Sequence, residues 1–120
     1  MATTEPEAAP PPTLLDENLD PTLAALVAAA LGPGATVSSV RARGWLGTRN
    51  GPLVEAMAEV GLRVLVTGDV RLWRERRRLL EQHGIGVVLV QEPAEAEARV
   101  RTIAQAVRQV APGDLITVPA

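Results

Sequence analysis

The sequence predicts a single α/β domain built on a mainly parallel sheet of about five strands, in the order βαβαβαβαβ. After residue 12, short apolar runs alternate with longer segments whose apolar residues recur at helical spacing, which is the pattern of successive βαβ units. The length of 120 residues is enough to bury one core and too short for two. Together these observations predict one scaffold that carries whatever the protein does.

Residues 1–11 are small, acidic and proline-rich, and such a segment cannot bury enough apolar surface to offset the entropy lost on ordering. We therefore expect a disordered tail over 1–11 and a domain over 12–120. The chain opens with neither a basic nor an apolar leader segment, and no apolar run approaches the roughly 20 residues of a membrane helix. These features predict a cytoplasmic protein that does not contact a membrane.

The first elements are read from apolar runs and their breakers. Thr13 to Leu15 form a short predicted strand. A helix follows, with Asp20 as N-cap, Pro21 at the first helical position and an apolar stripe that includes Leu26 and Ala30. The later predicted elements are a strand over 36–40, a loop over 41–51, a helix ending at Gly61, a strand over 63–67, a helix over 70–83, a strand over 86–90, a helix over 93–110 and a strand over 115–118.

Acidic residues stand just past two of the predicted strands. Asp16 and Glu17 follow the first strand, and Asp69 follows the third. The carboxyl ends of parallel strands face the crevice where ligands bind, so Asp16 and Asp69 converge if their strands are neighbours. Two close carboxylates need a neutralising cation, and a hard divalent ion such as Mg²⁺ or Mn²⁺ is the usual one. A metal held in this way supports phosphodiester hydrolysis.

Four segments of the chain resemble the DUF5615 PIN-like domains. They are LLDENLDPTLAALV at 14–27, GTRNGPLVEAMAEVGLRVLVTGD at 47–69, GIGVVLV at 84–90 and PGDLITV at 112–118. The resemblance implies a PIN-like, Rossmann-like three-layer sandwich related to the nuclease toxins of bacterial toxin–antitoxin pairs. It also implies an RNA substrate, a Mg or Mn cofactor, an antitoxin protein as partner and a homodimer.

The resemblance also assigns roles to residues. Asp16, Glu17 and Asp69 are the expected catalytic acids, with Asp16 and Asp69 as metal ligands and with Asn18 and Thr67 in support. Many PIN-like domains carry a carboxylate at the start of the second helix, where this chain has the uncharged Asn50. Glu55, about one turn further along, is the candidate replacement. These expected supporting residues are Asn18, Asn50, Thr67 and Glu55.

Two alternative readings, and the location of any contact with nucleic acid, stay open at this point. The chain can be a catalytically degenerate PIN-like protein that acts as a protein-interaction module, with its acids serving as helix caps and strand terminators. A receiver-like phosphoacceptor domain is disfavoured because all 12 basic residues are Arg and that architecture needs a Lys. With a net charge of −2, contact with nucleic acid needs a local basic patch, for which Arg49, Trp45 and Arg74 are the candidates, although Trp45 can equally pin its loop to the core.

Overall fold

The computed structural model describes residues 9–119, and this part of the chain confirms the predicted α/β class. Five strands alternate with four α-helices within it. The strands are β1 (Thr13–Leu15), β2 (Val37–Ser39), β3 (Val64–Thr67), β4 (Gly86–Val90) and β5 (Leu115–Val118). The helices are α1 (Leu23–Leu31), α2 (Asn50–Glu59), α3 (Val70–Gln82) and α4 (Val100–Gln109).

The strands form one parallel sheet in the spatial order β2-β1-β3-β4-β5. Leu15 of β1 is in register with Val66 of β3, and the N–H of Asp16 donates to the carbonyl of Val66 at 2.9 Å. The chain leaves β1 toward β2 and then returns past β1 to β3, so its direction reverses between β1 and β3. Open parallel sheets bind ligands at such a switch point.

Helices cover the sheet on both faces and so make three layers. Side chains alternate between the faces along each strand. Leu14 and Leu65 pack under α2 and α3, whereas Leu15 and Val66 pack against α1 and α4. Each of these side chains is fully buried, which stabilises the fold by about 1.5–3 kcal/mol per side chain relative to exposure. The predicted Rossmann-like sandwich is therefore confirmed.

The connection through α4 has the opposite hand to the other three. The chain moves from β3 to β4 with α3 on one face, and it moves in the same direction from β4 to β5 with α4 on the other face. The connections through α1 and α2 share the hand of the α3 connection. Right-handed crossovers are the rule in parallel sheets, so the α4 connection is the exception. Its consequence is that α4 packs beside α1 and not beside α3.

The beginning of the first helix differs from the prediction. Pro21 precedes α1, which begins at Leu23. Asp20 does cap backbone, because its Oδ1 accepts from the N–H of Thr22 at 3.0 Å, but that turn lies before the regular helix. Leu26 belongs to the predicted apolar stripe yet is 39% exposed. The buried stripe of α1 is therefore narrower than the periodicity predicts.

The predicted continuous helix over 93–110 is wrong in its first part. Pro93–Arg99 is a 3₁₀-helix, and the α-helix begins only at Val100. Ala96 is the buried side chain of the 3₁₀ segment, so no wide apolar stripe favours α-helical spacing there. Beyond it, Ile103 and Val107 are fully buried and fix α4 on the sheet.

The predicted tail lies mostly outside the described residues, because 1–8 are not described. The segment that follows lies against the domain: Pro10 is buried, and the carbonyl of Pro12 accepts from the N–H groups of Arg63 and Val64 at 2.8 and 3.2 Å. Between residues 9 and 119, none of the helices has the length and apolar character to cross a membrane.

Candidate functional site

The two predicted acidic strand ends do meet at the switch point. Asp16 directly follows β1, and Thr67 is the last residue of the neighbouring strand β3. Asp69 lies two residues beyond Thr67, immediately before α3. The condition under which the acids come together is met, because β1 and β3 are neighbours and the acids that follow them lie at the same edge of the sheet.

The side chain of Asp16 is held in an inward position by hydrogen bonds from two neighbours. Its side chain belongs to a residue only 9% exposed. Oδ1 accepts from the N–H of Glu17 at 2.8 Å, and Oδ2 accepts from the hydroxyl of Thr67 at 2.7 Å. The Thr67 Oγ1 in turn accepts from the N–H of Asp69 at 3.0 Å. One hydroxyl therefore links the two strand ends, with Thr67 as the buried connector.

Asp69 is engaged with the helix that follows it. Its Oδ1 accepts from the N–H of Arg71 at 2.9 Å, which caps α3. The same carboxylate accepts from Arg71 Nε at 3.2 Å and from Nη2 at 3.4 Å. The hydrogen bond from the Arg71 side chain is the main cause that holds the pKa of the Asp69 carboxyl below its usual value. The carboxylate is thus ionised and paired with a cation of its own chain.

Glu17 and Asn18 connect the loops around this edge. Glu17 Oε2 accepts from the N–H of Gly47, and Asn18 Oδ1 accepts from the N–H of Gly68, both at 3.1 Å. These contacts tie the loop after β1 to the loop before α2 and to the turn after β3. The side chains of the Asp-Glu-Asn motif therefore act as acceptors for backbone N–H groups and, at Asp16, also for the Thr67 hydroxyl.

Asn50 and Glu55 both lie on α2. Asn50 is the first residue of the helix and is half-buried, and Glu55 is exposed. Within residues 9–119, neither side chain is hydrogen-bonded to Asp16, Thr67 or Asp69. The structure does not place Asn50 or Glu55 in the hydrogen-bonded group of Asp16, Thr67 and Asp69, so their supporting role stays a prediction.

The acids that the structure describes at this edge do not form a cluster of three protein ligands. Among the residues that the structure describes, no three His, Cys, Asp or Glu side chains come together where they could hold a metal. Both oxygens of Asp16 already accept hydrogen bonds, and the charge of Asp69 is paired with Arg71. Mg²⁺ is held by as few as one or two carboxylates, with water completing its shell, so a metal at this edge would depend on Asp16 and on the displacement of Arg71 from Asp69.

The three candidate nucleic-acid contacts differ in how far they are buried. Trp45 is half-buried and packs against the core under α2 and α3. The guanidinium of Arg43 covers its ring, 5.2 Å from the centroid, so the ring serves to hold its loop. Arg49 precedes α2 and Arg74 lies on α3, and both are exposed.

Arg71 is the residue of this site that the sequence prediction missed. The signal was present, because Arg71 stands in the first turn of a helix that Asp69 was expected to cap. A cation two residues after a capping acid can reach back to its carboxylate. The positive charge expected from a metal is therefore supplied by the chain itself.

Comparison of the sequence with protein-family models gave no match, and neither the curated proteins nor the solved structures gave a match to the chain. The resemblance to DUF5615 PIN-like domains accordingly stays a prediction from the motifs themselves.

Proposed function

We propose that this chain is a non-hydrolytic domain of the PIN-like kind that acts by binding another protein. The observation that carries the proposal is the pairing of Asp69 with Arg71, 3.2 Å apart. A nuclease of this kind needs the charge of that carboxylate for a metal ion. Here the charge is neutralised within the chain and the carboxylate caps α3.

The surroundings of Asp16 support the same conclusion. A carboxylate that accepts two hydrogen bonds and is 9% exposed is stabilised where it stands. The two hydrogen bonds fix the orientation of the carboxylate between the Glu17 N–H and the Thr67 hydroxyl, and each bond to a charged group contributes about 1.5–3 kcal/mol. The arrangement therefore favours a structural link between strands β1 and β3.

The second candidate function is a Mg²⁺- or Mn²⁺-dependent ribonuclease of toxin type. The convergence of Asp16 and Asp69 at the switch point favours it, because substrates bind at that position in open parallel sheets. It requires Arg71, whose side chain is 75% exposed, to leave Asp69 when a metal binds. It also requires activity with the uncharged Asn50.

An RNA cleavage assay separates the two candidates. Wild type and Asp69→Asn are incubated with a labelled structured RNA and Mn²⁺, with the RNA alone as the blank. The proposal predicts no cleavage above the blank by either protein. Cleavage by wild type that is lost in Asp69→Asn would overturn the proposal and establish the ribonuclease.

A repaired variant makes a negative result informative. Arg71→Ala combined with Asn50→Asp removes the internal cation and adds a carboxylate at the start of α2. The proposal predicts that this double variant binds Mn²⁺ more tightly than wild type. Equal binding by the two proteins would show that Arg71 and Asn50 are not what prevents a metal from binding.

A further inference from the structure

Helix α1 contains no polar or charged residue, although one side of it faces solvent. Its sequence is LAALVAAAL. The exposed side chains on it, here called the α1 face, are Ala25, Leu26, Ala29 and Ala30. Each of the other three α-helices carries exposed charged residues, such as Glu55 and Glu59 on α2. A surface helix normally turns a polar side to water, so the α1 face has the composition of a surface that another protein covers.

Leu26 lies in the middle of the α1 face and is 39% exposed. Ala30 stands four residues further along, so the two side chains lie in one row on the helix. Ala25 and Ala29 lie beside this row and are small. Helices pack 8–10 Å apart, depending on the side chains at the contact, and alanines permit the closer distances. The α1 face therefore suits packing against a second helix.

Helix α4 borders the α1 face because the unusual hand of its connection places it beside α1. The exposed side chains of Arg101, Gln105 and Arg108 lie on this border. With Ala30 and Ala104 they line an open cavity of about 470 Å³ between the two helices. The apolar face and these polar groups form one continuous surface, since Ala30 belongs to both.

The two ends of this surface carry opposite charges. Where α1 begins, Asp20 and Glu97 line a groove of about 70 Å³ that Leu26 also lines. Toward the end of α1, Arg101 and Arg108 line the larger cavity. None of these four side chains is in an ion pair with the described part of the chain, where the ion pair present lies at the start of α3.

This order of charges makes the surface complementary to itself. If two copies place their α1 helices antiparallel about a two-fold axis, the acidic end of each copy meets the basic end of the other. Glu97 of one copy then faces Arg101 of the second copy, and Asp20 faces Arg108. Symmetry makes each of these pairs occur twice. The two Leu26 side chains lie between the charged ends, against alanines of the opposite copy.

We propose that the α1 face binds a second copy of this chain, in a symmetric dimer whose two α1 helices are antiparallel. An unrelated partner would need only one charge pattern, whereas opposite charges at the two ends of an apolar helix are what a two-fold contact requires. The nine residues of α1 span about 14 Å, so the interface is small and the dimer dissociates in the micromolar range or above. The inference goes beyond the proposed function and does not depend on it.

The test is sedimentation equilibrium of the full chain, from micromolar concentrations to about 0.5 mM. We expect a reversible equilibrium between monomer and dimer, without larger species, because a two-fold contact uses the same surface on both copies and closes. Added salt should shift the equilibrium toward monomer, since it screens the exposed charge pairs.

A matched pair of substitutions locates the contact. Leu26→Gln should weaken the dimer about tenfold, because two copies of the side chain lose their burial. Leu46→Gln is the control, since Leu46 is 49% exposed on the loop before α2 and lies outside the α1 face. It should change the dissociation constant less than about twofold.

Charge reversal tests the two-fold arrangement and does not touch the core. Glu97→Arg alone and Arg101→Glu alone should each weaken the dimer about tenfold, because both symmetric pairs become repulsive. An equimolar mixture of the two variants should dimerise about as well as wild type. In the mixed dimer each acidic side chain again faces an arginine of the other copy.

Four results would overturn this inference. They are a wild type that stays monomeric at about 0.5 mM, species larger than a dimer, equal losses in Leu26→Gln and Leu46→Gln, and a mixture that associates no better than the separate charge-reversed variants. A monomeric wild type would leave the proposed function standing, because RNA cleavage and Mn²⁺ binding are measured on a different edge of the molecule.

Discussion

Replacing Thr67 with valine tests the link between the two strand ends. Thr→Val keeps the shape of the side chain and removes its hydroxyl. In wild type that hydroxyl is fully buried, donates to Asp16 at 2.7 Å and accepts from the N–H of Asp69 at 3.0 Å. A lost hydrogen bond to a charged group costs about 1.5–3 kcal/mol, and a neutral one about 1 kcal/mol. We expect the free energy of unfolding to fall by about 2–4 kcal/mol.

Urea unfolding of wild type and variant measures this change. The midpoint should move to lower urea with an unchanged slope, because the surface exposed on unfolding is the same. Thr117→Val is the matched control, since Thr117 is a half-buried strand residue on β5 whose hydroxyl has no hydrogen bond among the described residues. A control loss within about 0.5 kcal/mol is expected. The reasoning is refuted if Thr67→Val costs no more than the control.

Three further predictions concern the stability contributed by contacts of Asp69, Gly86 and Trp73. The difference in free energy of unfolding between wild type and Asp69→Asn should be constant above about pH 4 and should shrink as the pH falls through the lowered pKa of Asp69. The reason is that only the ionised carboxylate gains from its pairing with Arg71. Urea unfolding at a series of pH values measures this difference, and a difference that grew on acidification would contradict the prediction. Gly86→Ala should cost about 1–3 kcal/mol in urea, because a Cβ there would stand 2.8 Å from the carbonyl oxygen of Ala111; an unchanged midpoint would contradict this. Trp73→Phe should lose about 1 kcal/mol of stability with the indole hydrogen bond; an unchanged melting temperature would show that this bond contributes little.

Strands β3, β4 and β5 could be predicted from sequence because they are nearly continuous apolar runs. The strands β4 and β5 have the predicted bounds, and β3 differs by one residue. The burial of β3 and β4 on both faces follows from their composition, whereas β5, at the edge of the sheet, is half-buried at three of its four residues. The hand of the α4 connection could not be predicted, because it depends on which face of the sheet an apolar helix stripe covers. Both faces offered a buried surface of similar composition.

The positions of the acids could be predicted from sequence, but the hydrogen-bond partners of their carboxylates could not. The meeting of Asp16 and Asp69 follows from the adjacency of β1 and β3, which stays a condition at the level of sequence because alternating strands and helices do not fix the strand order. Whether a carboxylate faces a ligand or its own chain depends on side-chain geometry of a few ångströms. In this protein the two carboxylates face their own chain because Arg71, the Thr67 hydroxyl and the N–H of Glu17 bind them. Nothing in the sequence around these three donors distinguishes them from ordinary helix, strand and loop residues.

The measurement that tests the central claim most directly is a titration of Mn²⁺ into wild-type protein, followed by electron paramagnetic resonance of the free ion. The claim is that the carboxylates at the switch point are engaged by the chain itself. It predicts that wild type holds no stoichiometric Mn²⁺ at millimolar concentrations and gives the same curve as Asp69→Asn. One equivalent bound by wild type and lost in Asp69→Asn would contradict the account.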